Sequence, residues 1–309
     1  MMKTVRIGVI GVGHLGQHHA RLLASMDGVE LVGVCDVNRA RADEIGTKFG
    51  APAFSDSREL LGRVDAVTVA VPTVVHLDVG LPFLQAGVAT LIEKPIAPSV
   101  ADADRLVEAA ERGGAMLATG HTERFNPAVA AALPIISEPR FIEIHRLGTF
   151  PERSLDIDVI FDLMIHDLDL LLSVVRSEVT NIEAVGVNVL TPKADIANAR
   201  LRFASGCIAN VTASRISRER VRKARFFQSD AYVSIDDAAQ ELEVIRLVKN
   251  GPHPIIHGGK VDVANEEPLR RELADFVESV RSGREPGVTG HDGRLALELA
   301  TRVAHRMGL

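Results

Sequence analysis

The six residues Gly11-Val12-Gly13-His14-Leu15-Gly16 constrain this chain more tightly than any other segment. They follow a nearly continuous apolar run, Val5–Ile10, and open a stretch of helical periodicity, so the pattern predicts strand, tight turn and helix in succession. Each glycine has a mechanical reason there: Gly11 permits the sharp reversal, Gly13 lets backbone approach a pyrophosphate, and Gly16 allows close packing of helix on strand. The anion rests on the helix N-terminus, with the loop residues His14 and Leu15 beside it. Asp36 ends a second apolar run, Val29–Cys35, at the place where an acid meets ribose hydroxyls. Its carboxylate disfavours the 2′-phosphate of NADP, so NAD is the expected cofactor; Asn38 and Arg39 follow, and an Arg at that place keeps NADP use open.

The runs Ala66–Val71, Val88–Ile92 and Ala115–Thr119, with a weaker one at Ala51–Phe54, continue the alternation of apolar strands with helical patterns. Strands apolar throughout are covered on both faces, which predicts a doubly wound parallel sheet, the Rossmann arrangement. After Gly120 the texture changes: Arg140–Gly148, Asn181–Leu190, Asn198–Ala204, Gly206–Arg215, Arg225–Ser229, Ala231–Asp236 and Glu241–Val248 are expected strands, several alternating polar with apolar. Helices are expected over Asp158–Ser173, Pro268–Ser282 and Asp292–His305, and Gly251–Glu267, rich in Pro and Gly, reads as a loop. The fold class is therefore α/β, with a Rossmann domain over residues 1–121. A C-terminal α+β domain on an open, mostly antiparallel sheet follows over 122–309. Such a sheet needs cover, and a homodimer or homotetramer formed through it is the expected assembly.

A formal charge of -6 argues against a general nucleic-acid partner, and no apolar stretch is long enough to span a bilayer. Lys3 and Arg6 precede a run that is short and glycine-punctuated, a strand rather than a signal peptide. Cys35 and Cys207, one per domain, suit the reducing cytoplasm and have neither zinc nor disulfide spacing. His14 and His18 share a helix face without a third ligand, so no metal is expected.

Further motifs then appear in order: Val71-Pro72-Thr73-Val74-Val75-His76 after the fourth strand, Glu93-Lys94-Pro95 after the fifth, and Asp162-Leu163-Met164-Ile165-His166 with Asp169 in the second domain. With the glycine motif, these resemble the glucose-fructose oxidoreductase/inositol dehydrogenase/rhizopine-catabolism (GFO/IDH/MocA) family over nearly the whole chain. The resemblance implies a dehydrogenase whose catalytic set is Lys94, Asp162 and His166 beside the nicotinamide. It implies cofactor contacts at Val71, Pro72, Thr73, His76, Glu93 and Arg124. Thr73 departs from the family's usual Asn and puts one nicotinamide-ribose contact in doubt. The phrases Gly120–Pro127, Phe150–Ser154 and Asp162–Asp169 resemble the branch acting at C3 of UDP-N-acetylglucosamine.

The residue types suit that chemistry. Oxidising a secondary alcohol requires a base at the hydroxyl and a cation for the developing alkoxide. His166, with a side chain that titrates near neutrality, is the expected base, and Lys94 the polarising cation. Asp162 lies four residues before His166 on an expected helix, so the two share a face, where Asp162 orients the imidazole or holds a neighbouring hydroxyl. Such a pair is commonly a packing pair, and a lysine after a strand is commonly solvated. Glu93 either touches the nicotinamide ribose or pairs with Lys94. Arg124 and Asn126 are candidate substrate contacts, with a salt bridge and a helix cap as equal alternatives. Arg146 and Arg153 are candidates for a substrate phosphate or carboxylate, a solvated strand face being the commoner place for such residues. The basic run Arg215–Arg225 reads as a solvated hairpin or a receiver for a diphosphate. The expected substrate is a sugar or UDP-sugar; a free polyol, or a non-catalytic dinucleotide sensor, are the competing functions.

Overall fold

The computed structural model describes residues 4–150, 157–248 and 255–309. In chain order the elements begin with β1 (Val5–Ile10), α1 (Gly16–Leu23), β2 (Val29–Cys35), α2 (Arg39–Phe49), β3 (Ala53–Phe54), β4 (Ala66–Val69) and α3 (His76–Gln85). They continue with β5 (Ala89–Glu93), α4 (Val100–Gly113), β6 (Leu117–Gly120), α5 (Pro127–Ala132) and β7 (Phe141–Leu147). A π-helical turn, Ile160–Met164, leads into α6 (Ile165–Val174), then β8 (Val179–Val187), β9 (Ile196–Phe203), β10 (Ile208–Ser214) and β11 (Val221–Phe227). The chain closes with β12 (Ala231–Asp236), β13 (Glu241–Val248), β14 (Ile255–Val261), α7 (Pro268–Ser282) and α8 (Gly290–Arg306). No described helix is long and apolar enough to cross a membrane.

Two compact units result: Met1–Thr122 with Pro268–Leu297, and Glu123–Glu267 with Glu298–Leu309. The first holds a parallel six-stranded sheet in the order β3-β2-β1-β4-β5-β6, the doubly wound pattern that reverses direction between β1 and β4. The expected single cut near residue 121 differs from this division, because α7 packs with the first unit. Leu273, Phe276 and Val277, spaced as one helical stripe, share an apolar core with Val5, Ile7, Val9, Leu22 and Leu91.

The second unit is built on an eight-stranded sheet, order β14-β13-β12-β11-β7-β10-β9-β8, antiparallel except for the β7–β10 pair. One face is buried and the other freer, so β9 alternates residue by residue: Ala197, Ala199, Leu201 and Phe203 point inward, and Asn198, Arg200 and Arg202 outward. Two expectations are corrected here. Residues 255–261, read as loop, form β14 against β13; Gly258, at φ 140°, crosses the β13 backbone where a Cβ would collide with the carbonyl of Val244. The strand expected at Arg225–Ser229 is β11, displaced towards the N-terminus, because Lys223 and Arg225 find Asp236 (3.7 Å) and Glu143 (2.7 Å) on neighbouring strands.

Candidate active site

In the first unit the cofactor loop lies at the carboxyl ends of the strands. Gly11 has φ 82°, and a Cβ on Gly16 would collide with the Gly11 carbonyl, so the tight turn and close packing both require glycine. A Cβ on Gly13 would meet nothing within 4 Å, which leaves open space for a pyrophosphate against the backbone. The loop therefore fits a dinucleotide. The Asp36 carboxylate accepts the Val12 N–H (3.0 Å) and the Asn38 N–H (2.9 Å), and so stands between glycine loop and α2. His14 and Leu15 are exposed on the loop. Asn38 and Arg39 have local partners: Asn38 caps α2 by accepting the Arg41 N–H (3.3 Å), and Arg39 donates to Asp43 (3.0 Å). The residue that braces the loop is Arg41, whose Nε donates to the Val12 carbonyl (2.9 Å); its spacing after Asp36 carries no motif that marks it.

After β4, Val71 and Thr73 are half-buried and Pro72 is exposed, with Thr73 opening a short 3-10 turn. His76 is buried, and its Nδ1 and Nε2 face the carbonyl oxygens of Pro95 (3.0 Å) and Val71 (2.9 Å). It ties two strand ends together. Burial holds its pKa below the ordinary histidine value, against the pull of those carbonyls. Lys94 is half-buried just beyond β5, where doubly wound sheets place their ligands. Glu93 is turned inward: its Oε1 accepts from Nε2 of His19 (3.1 Å) and its Oε2 from the Lys94 N–H (3.3 Å). Burial opposes its charge, yet the His19 contact and the Lys94 cation hold the carboxyl below the ordinary range.

In the second unit Asp162 lies within the π-helical turn and His166 in the first turn of α6, both half-buried, so the single α-helix expected across them is interrupted. Widened i→i+5 turns of this kind are frequent at functional sites. The residues that hold α6 are charged and internal. The Arg146 fork on β7 donates to Asp167 (2.7 and 2.9 Å), to Glu123 (2.9 Å) and to Asp237 (3.2 Å). Arg124 is bidentate to Asp169 (2.8 and 3.0 Å), and Asn126 caps α5 through the Ala128 N–H (3.0 Å) while donating to the Asp237 carbonyl (2.9 Å). Arg124 and Asn126 thus make the salt bridge and the cap that were the alternatives to a ligand contact. Arg153 lies outside the described residues. Arg215 is buried on Asp195 (2.9 Å), the Ile157 carbonyl (2.7 Å) and Thr191 (3.0 Å), which removes it from the diphosphate receiver considered above.

Residues 5–121 match the model of an oxidoreductase family with an NAD-binding Rossmann fold, and residues 135–233 match the GFO/IDH/MocA C-terminal domain. The chain belongs to the GFO/IDH/MocA family. It is 41% identical to a UDP-N-acetylglucosamine 3-dehydrogenase of Acidithiobacillus ferrooxidans, covering 98% of each chain. It is 28% identical to a myo-inositol 2-dehydrogenase of Thermotoga maritima, over 96% of this chain and 94% of that one. The solved structure of the Acidithiobacillus enzyme superposes with a TM-score of 0.92 at 39% identity, covering 99% of this chain and 98% of the other. Levoglucosan dehydrogenase in complex with NADH and L-sorbose shares the fold at a TM-score of 0.89 and 17% identity, covering 99% and 97%.

As a GFO/IDH/MocA member the chain is an NAD(P)-dependent dehydrogenase of CH–OH groups, and its first unit is the NAD-binding domain. The first unit carries the glycine loop, Asp36 and Lys94, and the second carries Asp162 and His166. Both thiols are buried, and burial pushes Cys35 up to about 12 and Cys207 up to about 11.

Proposed function

We propose that the protein oxidises C3 of UDP-N-acetylglucosamine with NAD, His166 acting as base and Lys94 polarising the reacting oxygen. The observation that carries this reading is the 41% identity, over 98% of both chains, to a dehydrogenase of that substrate. NAD, which the Gly11–Gly16 loop and Asp36 would hold, would supply the acceptor for the hydride that leaves the carbon. His166 takes the hydroxyl proton on its imidazole, Lys94 holds the same oxygen as negative charge develops, and Asp162 orients the imidazole or a neighbouring hydroxyl. Asp36 binds the adenosine ribose through its hydroxyls, which favours NAD over NADP.

The freer face of the second sheet carries Val185 and Val187 of β8 at one edge, and Leu247 of β13 with its pairing partner Ile256 of β14 at the opposite edge, all exposed. We assign this face to a homodimer or homotetramer contact, and the enzyme to the cytoplasm. Light scattering of the purified protein is expected to give a multiple of the 33.3 kDa chain mass.

The test of function is turnover. The enzyme is incubated with NAD and a panel of UDP-sugars and polyols while absorbance of the reduced cofactor is followed. UDP-N-acetylglucosamine is expected to be the best substrate. Turnover of inositols or free sugars without any UDP-sugar would overturn the assignment in favour of a polyol dehydrogenase. No reduction with any of them would favour a dinucleotide-binding sensor.

A further inference from the structure

Helix α1 buries Gly16, Ala20, Leu22 and Leu23, and among these apolar residues it also buries an imidazole, that of His19, at 0% exposure. An imidazole placed there costs stability unless a partner satisfies it. Its partner is equally unusual. Glu93 is 7% exposed and ends β5, a strand whose other residues are Ala, Thr, Leu and Ile. The two residues are 74 positions apart and meet at 3.1 Å. The neighbouring strand makes room for them: Gly120 pairs with Glu93 across β5 and β6, and a Cβ on Gly120 would stand 3.0 Å from the carboxyl group. Each carboxylate oxygen then has its own donor, Nε2 of His19 on Oε1 and the peptide N–H of Lys94 on Oε2 (3.3 Å). On the other side of Lys94, His76 faces the Pro95 carbonyl (3.0 Å). The lysine assigned to the reacting oxygen is therefore bracketed by buried side chains from α1 and α3.

We propose that His19 is a positioning residue for Lys94: by holding the Glu93 carboxylate it fixes the backbone from which the lysine side chain departs. This inference rests on the catalytic reading of Lys94. The pair is internal, so its effect falls on the geometry of the lysine rather than on cofactor affinity. Without the imidazole, Glu93 is a buried carboxylate short of a donor; it takes up a proton or swings away, and in either case its hold on the Lys94 N–H changes. A displacement near 1 Å at a catalytic group costs on the order of 100-fold in rate.

The test compares His19→Leu, His19→Gln, Glu93→Gln, the double variant His19→Leu/Glu93→Gln and Lys94→Ala, each measured for kcat, KM, NAD affinity and melting temperature. His19→Leu is expected to lower kcat by roughly 10- to 100-fold with NAD affinity within about twofold of wild type. His19→Gln, whose amide nitrogen reaches the place of Nε2, restores most of that rate. The double variant is expected to be no slower than His19→Leu alone, since both changes break one chain of contacts. If His19→Leu does not fold, Glu93→Gln against His19→Gln makes the same comparison. Wild-type kcat in His19→Leu or in Glu93→Gln, no rescue by Gln, or a loss confined to melting temperature or NAD affinity overturns the inference while Lys94→Ala is inactive. Unchanged turnover in Lys94→Ala overturns the catalytic reading itself, and this inference with it.

Discussion

The strand ends of the first unit and the braced helix of the second hold the proposed catalytic side chains, Lys94 and His166, in different electrostatic surroundings. Around Lys94 the buried groups are nearly balanced, with one carboxylate, Glu93, met by His19 and the lysine itself, and His76 set against backbone carbonyls. Around α6 the buried guanidinium of Arg146 serves three carboxylates, Asp167, Glu123 and Asp237, with Arg222 at the margin (3.6 Å from Glu123), while Arg124 pairs with Asp169 alone. Burial, set against the pull of Arg146, leaves Asp167 above the ordinary carboxylate range. It drives Asp237 up to about 7, with the neighbouring negative charges adding to the rise. The first arrangement aims a side chain through backbone geometry; the second fixes a helix through charge, and takes on a proton near neutral pH as a result.

The largest expected effect lies at the two proposed catalytic residues. Lys94→Ala and His166→Ala should each lower kcat by roughly 1,000-fold while the protein still binds NAD, measured by steady-state kinetics and cofactor titration. Next comes the charge-built region. Arg146→Met leaves Asp167 buried without its bidentate partner and should cost about 3 to 5 kcal/mol in urea unfolding, more than any single change in the first unit's site. A loss below about 1 kcal/mol would show that the cluster does not brace the helix.

Asp36→Ser sharpens the comparison from the cofactor side. It removes the charge that opposes a 2′-phosphate, so the NAD to NADP preference in kcat/KM should fall by roughly tenfold or more, with stability nearly unchanged. The smallest effect is a pH dependence. Asp237 holds its proton up to about pH 7 in the fold and only to about 3.8 when unfolded. The folded state therefore binds more protons between these values, and the stability from this group is full below about pH 4 and lost as pH rises through about 7. Asp237→Asn cannot ionise. Its melting temperature relative to wild type should rise by about 2 to 4 °C between pH 5 and pH 8, a drift that a first-unit control, Asp43→Asn, should not show.

What was legible in the sequence follows the range of the forces involved. Val5–Ile10, the glycine turn and Asp36 are local patterns, and the parallel sheet follows from them. β14 was not legible, because Gly258 and Gly259 signal a loop unless the crossing with β13 is known. The π-helical turn at Asp162 was hidden for a similar reason, since Val159–Ile165 carries an apolar pattern that an α-helix satisfies equally well. Around the candidate site, residue types pointed to Lys94, Asp162 and His166, whereas His19, Arg41 and Arg146 owe their places to partners far along the chain. His19 follows directly on His18 in α1, and only the meeting with Glu93 sets it apart.

The central claim is hydride removal from one carbon of one sugar nucleotide, and isotopic transfer tests it directly. UDP-N-acetylglucosamine carrying deuterium at C3 is incubated with the enzyme and NAD, and the reduced cofactor is examined by mass spectrometry. Reduced cofactor one mass unit heavier than that formed from unlabelled substrate is the predicted result. Reduced cofactor without the label, or none at all, would contradict it.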